Sequence, residues 1–133
     1  MKRNVKILTV SDFFYGESLR DDYICYSINK NYLDESWTSY YEKIIETIFE
    51  NGPLEFIHMT VVKGYKQNEL ISYEVNINKE YLLAIHHYLT NKISYNGLKF
   101  NELKEKAKTD EDLQDRIRKF WSYQLYFQVF YKE

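Results

Sequence analysis

The stretch Leu54-Glu55-Phe56-Ile57-His58-Met59-Thr60-Val61-Val62-Lys63-Gly64-Tyr65-Lys66-Gln67-Asn68-Glu69-Leu70-Ile71-Ser72-Tyr73-Glu74-Val75-Asn76-Ile77 decides the fold. In its second half Ile71, Tyr73, Val75 and Ile77 alternate with Ser72, Glu74 and Asn76, the period of two that sends one set of side chains to a core and the other to water. The first half, Leu54 to Val62, is apolar on both registers, as expected of a strand near the middle of a sheet. Gly64, Lys66, Gln67 and Asn68 form a polar link of hairpin length, so the two strands should pair antiparallel.

Working outward, a helix is expected on each side. Upstream, Asp34 or Ser36 can cap a helix in which Trp37, Tyr41, Ile44, Ile45 and Ile48 form one apolar stripe. Gly52 and Pro53 should end it, the glycine by taking the left-handed conformation. Downstream, Asn78 can cap a helix with Glu80 in its first turn and Leu82, Ile85 and Leu89 along its buried edge. Asn96-Gly97 marks a tight turn with short flanking strands, and Asn101 to Lys108 reads as a short polar helix or loop.

The ends of the chain complete the sheet. Asn4 to Val10 and Tyr23 to Ile28 read as two further strands. Thr109 should cap a helix with Asp110, Glu111 and Asp112 in its first turn and Leu113, Ile117, Phe120 and Trp121 on one face. Tyr123 to Tyr131 should be an interior strand, because so long an aromatic strand at an edge would invite pairing with another chain. The expected fold is α+β: residues 1–133 as one domain, a mostly antiparallel sheet of about five strands, and two or three helices packed on one face.

A chain of 133 residues can bury roughly two-thirds of its unfolded surface, enough for a core without a covalent staple. Cys25 is the only cysteine, so no intramolecular disulfide can form. That usage, with no signal-peptide pattern in Met1 to Val10 and no membrane-length apolar run, leads to the expectation of a cytoplasmic protein with no membrane partner. The balance of 18 basic against 20 acidic residues argues against a dedicated nucleic-acid binder. Fourteen tyrosines, eight phenylalanines and two tryptophans are more than one small core hides, so part of this aromatic set is expected at a surface.

Catalytic patterns do not emerge. His86 and His87 are adjacent, so on a helix they point about 100° apart and cannot share an ion. The four glycines are isolated, which excludes a phosphate-cradling P-loop. Cys25 with His58 is the one thiol–imidazole combination, and both sit in apolar strand sequence that suits core packing better than nucleophilic chemistry. No metal, cofactor or catalytic residue is therefore expected.

What remains is a binding function. The expectation is a protein-binding inhibitor, most concretely an immunity protein that blocks the active site of a toxin such as a nuclease. The acids proposed to steer it are Asp21, Asp22, Asp110, Glu111, Asp112 and Asp115, and the candidate aromatic anchors are Phe13, Phe14 and Tyr15, which cluster beside Gly16 and otherwise read as packed residues of a strand that runs on to a bulge. The same physics fits a phage-type inhibitor of a host defence protein. Two other classes stand beside it: a small enzyme or ligand-binding domain with a pocket between sheet and helices lined by tyrosines and His58, and a single-strand nucleic-acid binder stacking bases on an aromatic sheet face. Oligomeric state is open between monomer and homodimer.

Overall fold

The architecture was obtained from a computed structural model, which describes residues 2–15, 18–19, 33–63 and 72–131. Four strands, β1 (Lys2–Thr9), β4 (Ile57–Lys63), β5 (Ser72–Ile77) and β6 (Gln124–Tyr131), form the main sheet in the order β1-β6-β4-β5. Two-residue strands β2 (Phe14–Tyr15) and β3 (Ser18–Leu19) make a separate small hairpin. The helices are α1 (Val10–Phe13), α2 (Thr38–Phe49), α3 (Lys79–Leu89), α4 (Phe100–Ala107) and α5 (Glu111–Trp121), with a 3-10 turn at Glu35–Trp37. The fold is α+β, as the sequence pattern implies, but the main sheet has four strands and is mixed. β4 and β6 run parallel: the antiparallel β5 returns the chain to the end where β4 starts, and the α3–α4–α5 connection begins and finishes at that end. Tyr23 to Ile28, the remaining expected strand, lies outside the described residues.

The core follows from alternation. Ile57, Met59, Val75, Leu125, Phe127 and Val129 are buried on one face of the sheet, beneath Ile44, Ile45 and Ile48 of α2, Leu82 and Ile85 of α3, and Phe120 of α5. β6 lies between β1 and β4, so the long aromatic strand is interior, as its composition requires. Phe49 ties the helices together: its ring stacks on Tyr95 at 4.2 Å and on Phe120 at 4.9 Å.

Several local expectations change in the structure, each for an identifiable reason. Strand β4 starts at Ile57, so Leu54 and Phe56 belong to the irregular approach, and Phe56 is exposed. Within β5 the pairing passes from Met59–Val75 directly to His58–Ile77, leaving Asn76 as an extra residue. That bulge reverses the alternation, and Ile77 emerges 50% exposed on the opposite face from Val75. At the end of α2 it is Asn51, not Gly52, that takes the left-handed conformation (φ 55°), while the Gly52 N–H closes the cap on the Thr47 carbonyl at 2.8 Å. A Cβ on Gly52 would stand 3.0 Å from Thr47 Cγ2, so close approach explains the glycine. Asn78 precedes α3 in the left-handed region, and its side-chain amide donates to the Phe56 carbonyl at 2.8 Å in place of capping. Asn96 and Gly97 form the expected tight turn, bridged by Tyr95 and Leu98, and the polar segment after it is helix α4. The Asn91 side chain accepts the Asn101 N–H at 2.8 Å, satisfying one of the free donors at the start of α4.

Candidate functional site

The described residues place most of the proposed anchors and acids. Phe13 and Phe14 are 0% and 1% exposed, and Phe13 stacks on Phe127 at 5.3 Å. They are core residues and present no surface to a partner, which corrects the expectation of exposed anchors. A capping box between Thr9 and Asp12 explains why: it turns the chain through one helical turn after β1, folding both rings under the sheet. Tyr15 lies in β2, and Asp21, Asp22 and Cys25 fall outside the described residues.

The α5 acids are exposed but largely engaged. The cap of α5 is Asp110 and not Thr109: its carboxylate accepts the N–H groups of Asp112 and Leu113 at 3.0 and 3.2 Å. Asp115 pairs with Lys119 at 3.0 Å and Arg118 at 3.6 Å. Between Glu111 and Trp121 the three acids Glu111, Asp112 and Asp115 are matched by Arg116, Arg118 and Lys119, so the helix has no net charge. An acidic stretch of sequence has become a dipolar helix, with acids at its start and bases at its end.

The aromatic surface that the composition implies lies elsewhere. Trp37 and Tyr40 are 42% and 45% exposed at the start of α2, their rings edge to face at 5.5 Å, with Tyr41 behind them at 6.1 Å from Trp37. Trp37 escapes the expected buried stripe because it closes the 3-10 turn that precedes α2, ahead of the helical spacing. That turn is fixed by Asp34, which accepts from the Ser36 N–H at 3.0 Å and the Ser36 hydroxyl at 2.6 Å.

Acids surround this ridge. Burial raises the pKa of the Tyr41 hydroxyl, and the charges of Glu80 and Asp34 raise it further. Burial likewise raises Tyr81, opposed by a hydrogen bond to the Glu55 backbone and reinforced by the Glu55 and Glu80 charges. Asp34, Glu35, Glu55 and Glu80 thus border the α2–α3 ridge, against Lys43 and Lys79 on the same two helices. Trp37 and Tyr40 are the exposed rings of this ridge.

A second aromatic surface is the face of the sheet opposite the helices. Val5, Ile7 and Ile77 are each about half exposed, Tyr126 meets Phe56 edge to face, and His58 lies against Phe130. His58 therefore points away from the helices and lines no pocket between the layers. A cleft of about 700 Å³ sits beside the ends of α2 and α5 and is lined by Phe49, Pro53, Leu54, Lys119, Tyr123 and Tyr126. Two of its polar groups are engaged: the Tyr123 hydroxyl donates to the Gly52 carbonyl at 2.7 Å, and Lys119 pairs with Asp115. His86 and His87 are buried on α3, with the His87 ring 5.5 Å from Tyr41.

Among the described residues, no cluster of three or more histidine, cysteine or acidic side chains could hold a metal ion, and no helix is long and apolar enough to cross a membrane. The chain matches no protein-family model, no curated protein and no solved structure. The reading of the site rests on its own residues.

Proposed function

We propose that this chain is a protein-binding inhibitor, most concretely an immunity protein that neutralises a toxin such as a nuclease, and that it acts through the α2–α3 ridge. The observation that carries this reading is the exposed Trp37–Tyr40 pair set among Asp34, Glu35, Glu55 and Glu80. Tryptophan and tyrosine supply large contact area at low entropic cost and dominate binding energy where they are desolvated at the centre of an interface. Surrounding carboxylates attract a basic partner and speed its encounter. An active site that handles nucleic acid presents basic groups of the kind such a patch complements.

In this proposal the chain acts by occupying the partner's site, with no chemistry of its own. The α5 acids contribute less than their number suggests, since Asp110 is a cap and Asp115 is ion-paired. The test is to capture partners on the tagged chain from its own lysate, then add the purified chain to whatever co-purifies. A stoichiometric basic protein whose activity is abolished on addition supports the proposal. Recovery of the chain alone, or with a small molecule, contradicts it.

A further inference from the structure

The face of the sheet turned away from the helices has an ordered residue pattern that the inhibitor proposal does not use. The strand pairings align it in rows that cross all four strands. One row reads Val5, Gln128, His58, Ile77 from the β1 edge to the β5 edge. The next reads Arg3, Phe130, Thr60, Glu74. On the other side of the first row lie Ile7 and Tyr126, with Phe56 in edge-to-face contact with Tyr126.

These rows are self-complementary. A two-fold axis lying between two copies and running along the strands reverses the order of strands but keeps each row in place. It lays the β1 edge of one copy over the β5 edge of the other. Val5 then meets an aliphatic residue, Ile77, and the central polar pair, Gln128 and His58, meet each other. Arg3 falls at the register position of Glu74, the opposite charge. A two-fold axis perpendicular to the strands and centred on the Val5–Ile77 row lays the Arg3 position over Ile7 and Val5 over itself.

We propose that this bare sheet face is the interface of a two-fold homodimer, with the axis along the strands and Val5 of one copy packed on Ile77 of the other. Two physical observations favour a second copy as the occupant. First, the three apolar side chains of the edge strands that are about half exposed are Val5, Ile7 and Ile77, and that symmetry lays Val5 of one copy on Ile77 of the other. Second, strands of 8, 8, 7 and 6 residues at a spacing of about 4.8 Å give a footprint of roughly 19 by 24 Å. That is smaller than the ~800 Å² per partner of a standard interface and suits a weak, concentration-dependent dimer. Two such sheets stacked about 10 Å apart at about 30° make an aligned β-sandwich, whose twist an axis slightly inclined to the strands accommodates. The ridge of α2 and α3 lies on the far side of each copy, so the dimer leaves it free.

The test uses the full chain and a charge exchange. Sedimentation equilibrium of the wild type over a concentration series is expected to rise towards twice the 16.3 kDa of one chain. Val5→Glu alone and Ile77→Lys alone are each expected to shift the mass to that of one chain, with unchanged circular dichroism because both positions are half exposed. The double variant, Val5→Glu with Ile77→Lys, places opposite charges against each other across the axis and is expected to restore the dimer. A wild type that stays monomeric overturns the proposal. So does a dimer that survives both single variants, or one that the double variant fails to restore, since the axis would then not run along the strands.

Discussion

The bare sheet face and the α2–α3 ridge both expose aromatic rings, yet they differ in what surrounds those rings. On the sheet, Tyr126 and Phe56 are neighbours of Ile7 and Val5, on the same face as Ile77 at the other edge. On the ridge, Trp37 and Tyr40 stand among four carboxylates and two lysines. The proposed occupants differ accordingly: a second copy for the sheet face and a basic protein for the ridge. The two contacts should also answer differently to salt, because screening weakens the ridge's long-range attraction far more than it weakens apolar packing on the sheet.

The largest effect should come from a residue that supports both surfaces at once. Phe127 is fully buried in β6 and stacked on Phe13, so Phe127→Ala should cost about 3–5 kcal/mol in chemical denaturation and abolish dimer and partner binding together. Loss of only one of the two would break the claim that they share this scaffold. Trp37→Ala is the opposite case. It should leave the melting transition nearly unchanged while weakening partner binding by about 2 kcal/mol or more in titration calorimetry, and leave the dimer intact.

Tyr88 touches neither surface and separates stability from binding. Its hydroxyl is buried among Phe49, Phe100 and Phe120 with no hydrogen-bond partner among the described residues, and burial pushes its pKa well above the ordinary 10.0. Below pH 10 the side chain is protonated whether the chain is folded or unfolded, so stability does not depend on it. Above pH 10 the unfolded chain releases the proton that the folded one retains, and stability should fall by up to about 1.4 kcal/mol per pH unit. Tyr88→Phe should remove that part of the alkaline loss in pH-dependent denaturation and be nearly neutral at pH 7. A smaller effect is expected at Asp110. Replacing this cap by alanine should cost about 1 kcal/mol of stability while leaving partner affinity within error. A large loss of affinity with no loss of stability would return α5 to the binding surface.

The sheet and its core were largely readable from the chain. Alternation located β1, β4, β5 and β6, and the aromatic density of Tyr123 to Tyr131 placed β6 in the interior. What periodicity does not carry is long-range. The parallel β4–β6 pairing depends on where the helices return the chain, and the outward turn of Ile77 on one extra residue, Asn76. Phe13 and Phe14 read either as packed residues or as exposed anchors, and the Thr9–Asp12 box folds them inward. Asp110 to Asp115 looked like an acidic patch, but a cap and two ion pairs use it. Trp37 carried a local signal: Asp34 followed two residues later by Ser36 is a turn-forming pair, and it places the tryptophan ahead of the helix instead of on its buried stripe.

The most direct test of the division between the two surfaces is parallel capture from the native lysate on three tagged chains: wild type, Val5→Glu, and Trp37→Ala with Tyr40→Ala. The same stoichiometric basic partner should be recovered with the wild type and Val5→Glu and be lost with the ridge variant. Loss with Val5→Glu and retention with the ridge variant would contradict the account, because the sheet face would then be the surface that holds the partner.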